Sequence, residues 1–209
     1  MHRKVGVTSG FYEEVNGIYR LRVPFECIYT SVFLIRGSEG TFLVDSATTA
    51  DDVDKCIIPS LNALGIKITD IDGIIITHSH SDHSGGLTRI LSYVPNVEVI
   101  RHEQWICSNV LTYSMPGHTP DCLGVLDVRS HTLISADGLQ GAGVGKYRCY
   151  VEDKSDYIST IEKISDDERI ENILFSHEYE PWYTDCILGR LNVKKCLCEC
   201  KKYVNGEEI

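Results

Sequence analysis

No apolar stretch in the 209 residues approaches the ~20 needed to span a bilayer, so no membrane segment is expected. Positive charge is also in short supply. Twenty Lys and Arg face thirty Asp and Glu, a formal net charge of −10. No basic stripe interrupts that balance, and no nucleic-acid partner is expected. The opening residues Met1 to Gly6 run into Tyr12, Glu13 and Glu14 without the apolar centre of a secretion signal. An even cysteine set is missing too. Nine cysteines, at 27, 56, 107, 122, 149, 186, 196, 198 and 200, are odd in number, and the chain is long for a disulfide scaffold. The expectation is a cytoplasmic protein with reduced thiols. What remains is ordinary globular composition, 43% hydrophobic and 24% charged, which excludes a disordered chain. At ~150 residues per domain this length gives one domain over 1–209. A chain of this size hides roughly 70% of its unfolded surface.

The first third reads as strands: 18–23, 31–35 and 41–44 are short and rich in β-branched or aromatic residues, with a turn at Gly37–Gly40. Thr49 then opens a helix in which Val53, Ile57, Leu61 and Leu64 fall at spacings of four and three, ending at Gly65. Pro59 should kink it. Residues 72–77 form an apolar run without alternation, as in a strand buried on both faces. A helix from Leu87 to Tyr93, a strand at 97–100 and a short helix from Glu103 to Asn109 follow. Next comes a hairpin of 123–128 and 132–135, turning at Arg129–His131. Ser155 is expected to cap a helix through Ile158, Ile161 and Ile164. A strand at 172–175 and a helix from about Asp185 to Val204, stopped by Asn205-Gly206, complete the chain. Two rounds of strands followed by helices suggest an α+β fold of two sheets packed face to face with helices outside. The segments 41–45 and 132–137 faintly echo each other.

Chemistry is concentrated between Thr77 and Gly86. His78, His80, Asp82 and His83 place four metal-ligand types within six positions, directly after a buried strand. A continuing strand would send 78, 80 and 82 to one face and 83 to the other, and a helix would align only pairs four apart. Convergence therefore needs a tight turn, for which the small residues at 79, 81, 84, 85 and 86 leave room. Imidazole and carboxylate are donors that Zn²⁺, Fe²⁺ or Mn²⁺ accept. His118 in a Pro-Gly turn, Asp137 at one strand end and His177 at another share this character. Seven ligands exceed one tetrahedral ion. They suit two ions if one carboxylate bridges.

The run His78-x-His80-x-Asp82-His83, followed in order by Pro116-Gly117-His118-Thr119, Ala136-Asp137-Gly138 and Ser176-His177, resembles the metallo-β-lactamase superfamily. The match extends from Ile18 to His177. It includes Val44-Asp45-Ser46, where relatives often carry Val-Asp-Thr-Gly. The resemblance implies an αββα sandwich and a division of ligands: His78, His80 and His118 on one ion, Asp82, His83 and His177 on the other, Asp137 bridging. Asp45 would orient a ligand histidine or cap its strand end.

Two divalent ions, zinc first with iron or manganese as alternatives, would share a water and lower its pKa towards 7. The expected reaction is hydrolysis of an ester, thioester or lactone of a small molecule by the bridging hydroxide, with Asp82 relaying a proton. The alternatives are an iron-dependent oxidoreductase on the same ligands and a non-catalytic metal-binding sensor. Departures from the family narrow the choice. True β-lactamases generally lack the bridging aspartate. Hydroxyacylglutathione hydrolases share all seven ligands but add a helical C-terminal domain, for which 32 residues after His177 are too few. Flavodiiron proteins usually carry glutamate where His80 stands, and ribonuclease-type members need a basic arm.

The glycine-rich segment from Gly138 to Tyr150 fits neither phosphate-loop pattern, since Gln140 and Tyr147 stand at required positions. A flexible substrate loop is expected, with Tyr147 or Tyr150 donating to the leaving group or oxyanion. His102 is expected to be structural or pocket-wall, and His131 solvated at its hairpin tip. Cys196, Cys198 and Cys200 suggest a metal site, but 196, 197, 200, 203 and 204 form an ordinary apolar helix stripe. Core packing or a homodimer seam is the preferred reading.

Overall fold

The structure is a computed structural model that describes residues 10–139, 150–178 and 184–206. The chain divides into two compact units, Met1–Arg101 and His102–Ile209.

The first unit is built on a six-stranded sheet: β1 (Tyr12–Val15), β2 (Ile18–Phe25), β3 (Ile28–Gly37), β4 (Gly40–Val44), β5 (Gly73–Ile75) and β6 (Glu98–Ile100). These lie side by side in chain order. Pairing is antiparallel from β1 to β4 and parallel from β4 to β6. Strand β3 is buried at seven successive positions, Tyr29 to Ile35, as in a strand covered on both faces, and Thr30 and Ser31 are its two polar residues there. Leu21, Val32, Leu34, Leu43 and Ile74 pack with Val53, Ile57, Leu61, Leu87 and Ile90 into one core.

The helical crossover from β4 to β5 starts where Thr49 placed it. Its Oγ1 accepts from the Asp52 N–H at 3.1 Å, while the Asp52 carboxylate accepts from the Thr49 N–H at 2.8 Å. The crossover comprises α1 (Ala50–Asp52), a π-helical segment Val53–Ile57 and α2 (Ile58–Ala63). The Ile58 N–H reaches back five residues to the Val53 carbonyl. Pro59 is thus absorbed by a widened turn just before it, where helices accommodate a missing donor and a ring clash. Gly65 ends the segment at φ +74°, a conformation that suits glycine. Two shorter helices follow β5: α3 (Ser81–Ser84) and α4 (Leu87–Tyr93).

The second unit repeats the plan with β7 (Gln104–Trp105), β8 (Val110–Ser114), β9 (Leu123–Asp127), β10 (Thr132–Ala136), β11 (Asn172–Phe175) and β12 (Cys186–Leu188). The order is β12-β11-β10-β9-β8-β7, and only the β10–β11 pair is parallel. Helix α5 (Lys154–Asp166) makes that crossover, and α6 (Arg190–Val204) follows β12. Tyr157, Ile161, Ile164, Val193 and Leu197 pack on Leu126, Leu133, Ile173 and Phe175.

Four local expectations are corrected here. Residues 103–109 are not a helix: Gln104 and Trp105 pair with Thr112 and Leu111, and the Thr112 hydroxyl accepts from Gln104 N–H at 2.8 Å. The last helix begins at Arg190 rather than Asp185, because 186–188 complete the sheet against β11. Asp153, not Ser155, caps α5 by accepting from the Asp156 N–H at 2.8 Å. Strand β5 is shorter than its apolar run. The cysteine stripe behaves as core: Cys196, Leu197 and Cys200 are buried, Tyr203 and Val204 pack beside them, and Cys198 is exposed. No disulfide joins the eight described cysteines.

Candidate metal centre

In the first unit the ligand-type residues leave the C-terminal end of β5. Its last turn is held by the Ile76 N–H on the Ile100 carbonyl at 3.1 Å. His78 then leads to His80, which stays extended as the residue before α3, and α3 turns Asp82 and His83 inward. The tight turn is made possible by two glycines pressed against the chain after β4. A Cβ on Gly85 would lie 2.0 Å from the Thr48 carbonyl oxygen, and one on Gly86 would lie 2.1 Å from that of Ser46. Only glycine fits either place.

Asp45 ties this turn together from the end of β4. It adopts φ +65°, an unusual conformation for a non-glycine residue. Its carboxylate accepts from the Thr77 N–H at 2.8 Å and from the Thr77 hydroxyl at 2.9 and 3.0 Å. It also lies 2.7 Å from His83 Nδ1. Both roles expected of Asp45 are therefore combined: it caps the strand end and orients a histidine. With Nδ1 occupied, His83 offers Nε2, which stands 3.3 Å from Asp82 Oδ2. His78 Nε2 and His80 Nδ1 stand 3.0 Å apart.

In the second unit one ligand-type residue leaves each of three strand ends. After β8, Gly117 turns the chain at φ +135°, and a Cβ there would come within 2.5 Å of the Tyr157 Cα. His118 is buried behind it, and its Nδ1 donates to the Tyr150 carbonyl at 2.7 Å. A carbonyl can only accept, so the proton sits on Nδ1 and Nε2 keeps its lone pair. Asp137 follows β10, whose register against β11 slips between Ile134 and Ala136, with Ala136 at φ +47°. The slip turns the carboxylate out of the ladder. Asp137 Oδ1 lies 3.1 Å from Nε2 of His177, two residues beyond the end of β11, and its Oδ2 lies 3.7 Å from His118 Nε2.

These seven side chains, six of them buried and His80 half-buried, are the metal-holding candidates among the described residues. The donor chemistry fits divalent metal. Two donors at 2.0–2.1 Å from a tetrahedral ion stand about 3.3–3.4 Å apart, and the donor pairs within each unit are 3.0, 3.1, 3.3 and 3.7 Å apart.

Tyr147 lies outside the described residues, as do residues 140–149 of the expected substrate loop. Tyr150 is 60% exposed, and its ring meets that of His118 edge-on at 5.9 Å between centroids. His102 and His131 are both exposed. Sequence reasoning missed Thr77 and the Tyr150 carbonyl. Thr77 had a signal in its place between the buried strand and the ligand run. A main-chain acceptor leaves none.

Residues 26–106 match the family model for the metallo-β-lactamase superfamily. Among curated proteins the chain is 30% identical over 93 residues to a probable metallo-hydrolase, YqjP, from Bacillus subtilis, covering 43% of this chain and 28% of that protein. It is 26% identical over 152 residues to a hydroxyacylglutathione hydrolase from Pectobacterium atrosepticum, covering 62% and 60%. The chain thus spans less than two thirds of the length of these relatives. Among solved structures, the metallo-β-lactamase FIM-1 from Pseudomonas aeruginosa in its mono-zinc form superposes with a TM-score of 0.73 at 15% identity, over 97% of this chain and 98% of that one. The two mixed six-stranded sheets with their helices match its α+β sandwich fold.

Proposed function

Because the chain belongs to the metallo-β-lactamase superfamily, we propose that residues 1–209 act as one metal-dependent hydrolase domain holding two divalent cations. His78, His80 and His118 would hold one ion and Asp82, His83 and His177 the other, with Asp137 as the shared ligand. Zinc is the first choice, with iron or manganese accepted by the same donors. Such ions, when bound, supply Lewis acidity and bring the pKa of water to about 7.

The chain's own residues do the rest. Asp45 and the Tyr150 carbonyl fix the ring orientation and tautomer of His83 and His118, so that Nε2 of each stays available. Asp82 is placed to accept and pass on a proton. The hydroxyl of Tyr150 or of Tyr147 is assigned to the leaving group or oxyanion. The substrate in this reading is a small intracellular ester, thioester or lactone.

The observation that carries this reading is the pair of histidines whose Nδ1 atoms are committed to protein acceptors at 2.7 Å, one in each unit. Protein purified without added metal, assayed against a panel of esters, thioesters and lactones beside an oxygen-consumption assay, tests it. Hydrolysis that is lost on chelation and restored by zinc is expected. Oxygen uptake without hydrolysis, or no turnover in either assay with metal bound, would sink it.

A further inference from the structure

Three bonds and one close approach strap the segment Tyr150–Asp153 to the turn that carries His118. The Tyr150 carbonyl accepts from His118 Nδ1 at 2.7 Å. Two and three residues on, the Glu152 and Asp153 N–H groups both donate to the Gly117 carbonyl, at 2.8 and 3.1 Å. The same Asp153 then caps α5 through its side chain. Gly117 lies so close to α5 that no Cβ fits against Tyr157. The first turn of a 13-residue helix, its capping residue and the backbone beside His118 are thus one connected piece.

We propose that Tyr150–Asp153 is a positioning strap for His118: the N-terminus of α5 sets the protonated nitrogen of this ring, and thereby its readiness to bind metal, through the Tyr150 main-chain carbonyl. The proposal rests on His118 being a ligand. It makes Tyr150 a positioning residue through its backbone, whatever its hydroxyl does. The physical reason is directional. A neutral imidazole in water prefers neither nitrogen strongly, whereas a carbonyl facing Nδ1 at hydrogen-bond distance accepts only if the proton is there. A ring held this way presents Nε2 without reorganisation, and loss of such an outer partner typically costs 10–100-fold in metal affinity. Asp153 touches no ligand, yet its cap holds the two N–H donors in line.

The test is to replace Val151 by its α-hydroxy acid in the full chain, which turns the amide after Tyr150 into an ester and weakens that carbonyl as an acceptor. Nitrogen NMR of the His118 ring is then read in metal-free protein at a pH where the ring is neutral. The Nδ1–H form should dominate in the natural chain and decline in the ester variant, with zinc affinity about tenfold weaker. Asp153→Ala should shift the tautomer the same way, and Asp153→Asn, which still caps, should restore it. An unchanged tautomer in both the ester and Asp153→Ala variants would overturn the strap. Because the NMR readout needs neither metal nor substrate, it stays informative if the hydrolase reading fails.

Discussion

The four ligand-type residues of the first unit come from one six-residue run, and the three of the second come from three separate strand ends. The first set is held by side chains. Asp45 gathers Thr77 and His83, and two glycines let the turn sink against the chain after β4. The second set is held by backbone: a carbonyl at Tyr150, a register slip at Ala136 and a strap on Gly117. Contiguous ligands can share one carboxylate as an organiser, whereas dispersed ones need a separate device at each strand end.

The largest expected effect comes from crowding the first turn. Gly86→Ala puts a methyl 2.1 Å from the Ser46 carbonyl, so backbone must move. A loss of about 3 kcal/mol is expected in urea unfolding, together with loss of metal. Next comes the organiser itself. Asp45→Asn keeps the shape but offers Thr77 and His83 a weaker partner, and metal affinity should fall about 10- to 100-fold by competition with a chelating dye. If it does not fall, the side-chain network is not what holds the first set. In the second unit, Tyr150→Phe keeps the carbonyl and removes only the hydroxyl. Because the ring is 60% exposed, kcat should fall by about tenfold, below the usual cost of a buried oxyanion donor. Unchanged kcat would leave Tyr150 its backbone role alone. The smallest effect belongs to Ala136→Gly. Relief of a left-handed alanine and the added entropy of the unfolded chain nearly offset each other, so stability should move by less than about 1 kcal/mol. A larger change in thermal unfolding would mean that Ala136 is more strained than φ +47° suggests.

Legibility in the sequence follows the same division. The run from His78 to His83 was readable because its chemistry is local, and so was the helix start at Thr49, whose cap and partner are three residues apart. The apolar stripe at Cys196, Leu197 and Cys200 was readable because a 15-residue helix repeats its face. What did not show was set by distant partners. Residues 104–105 become strand only because Thr112 lies opposite them, and 186–188 because β11 has an open edge. Left-handed backbone at Asp45 and Ala136 carries no residue signature, since neither is glycine. The faint echo of 41–45 in 132–137 has a structural counterpart: β4 runs into the left-handed Asp45, and β10 ends in the left-handed Ala136 just before Asp137.

Counting metal per chain, in the natural protein and in His80→Ala and His177→Ala, bears hardest on the proposal that both units serve one pair of ions. Two ions per chain should be found, with about one left and hydrolysis gone in either variant. Full occupancy and undiminished turnover in one of the variants would show that the two ligand sets work apart, and metal-free protein that still hydrolyses would end the metal reading altogether.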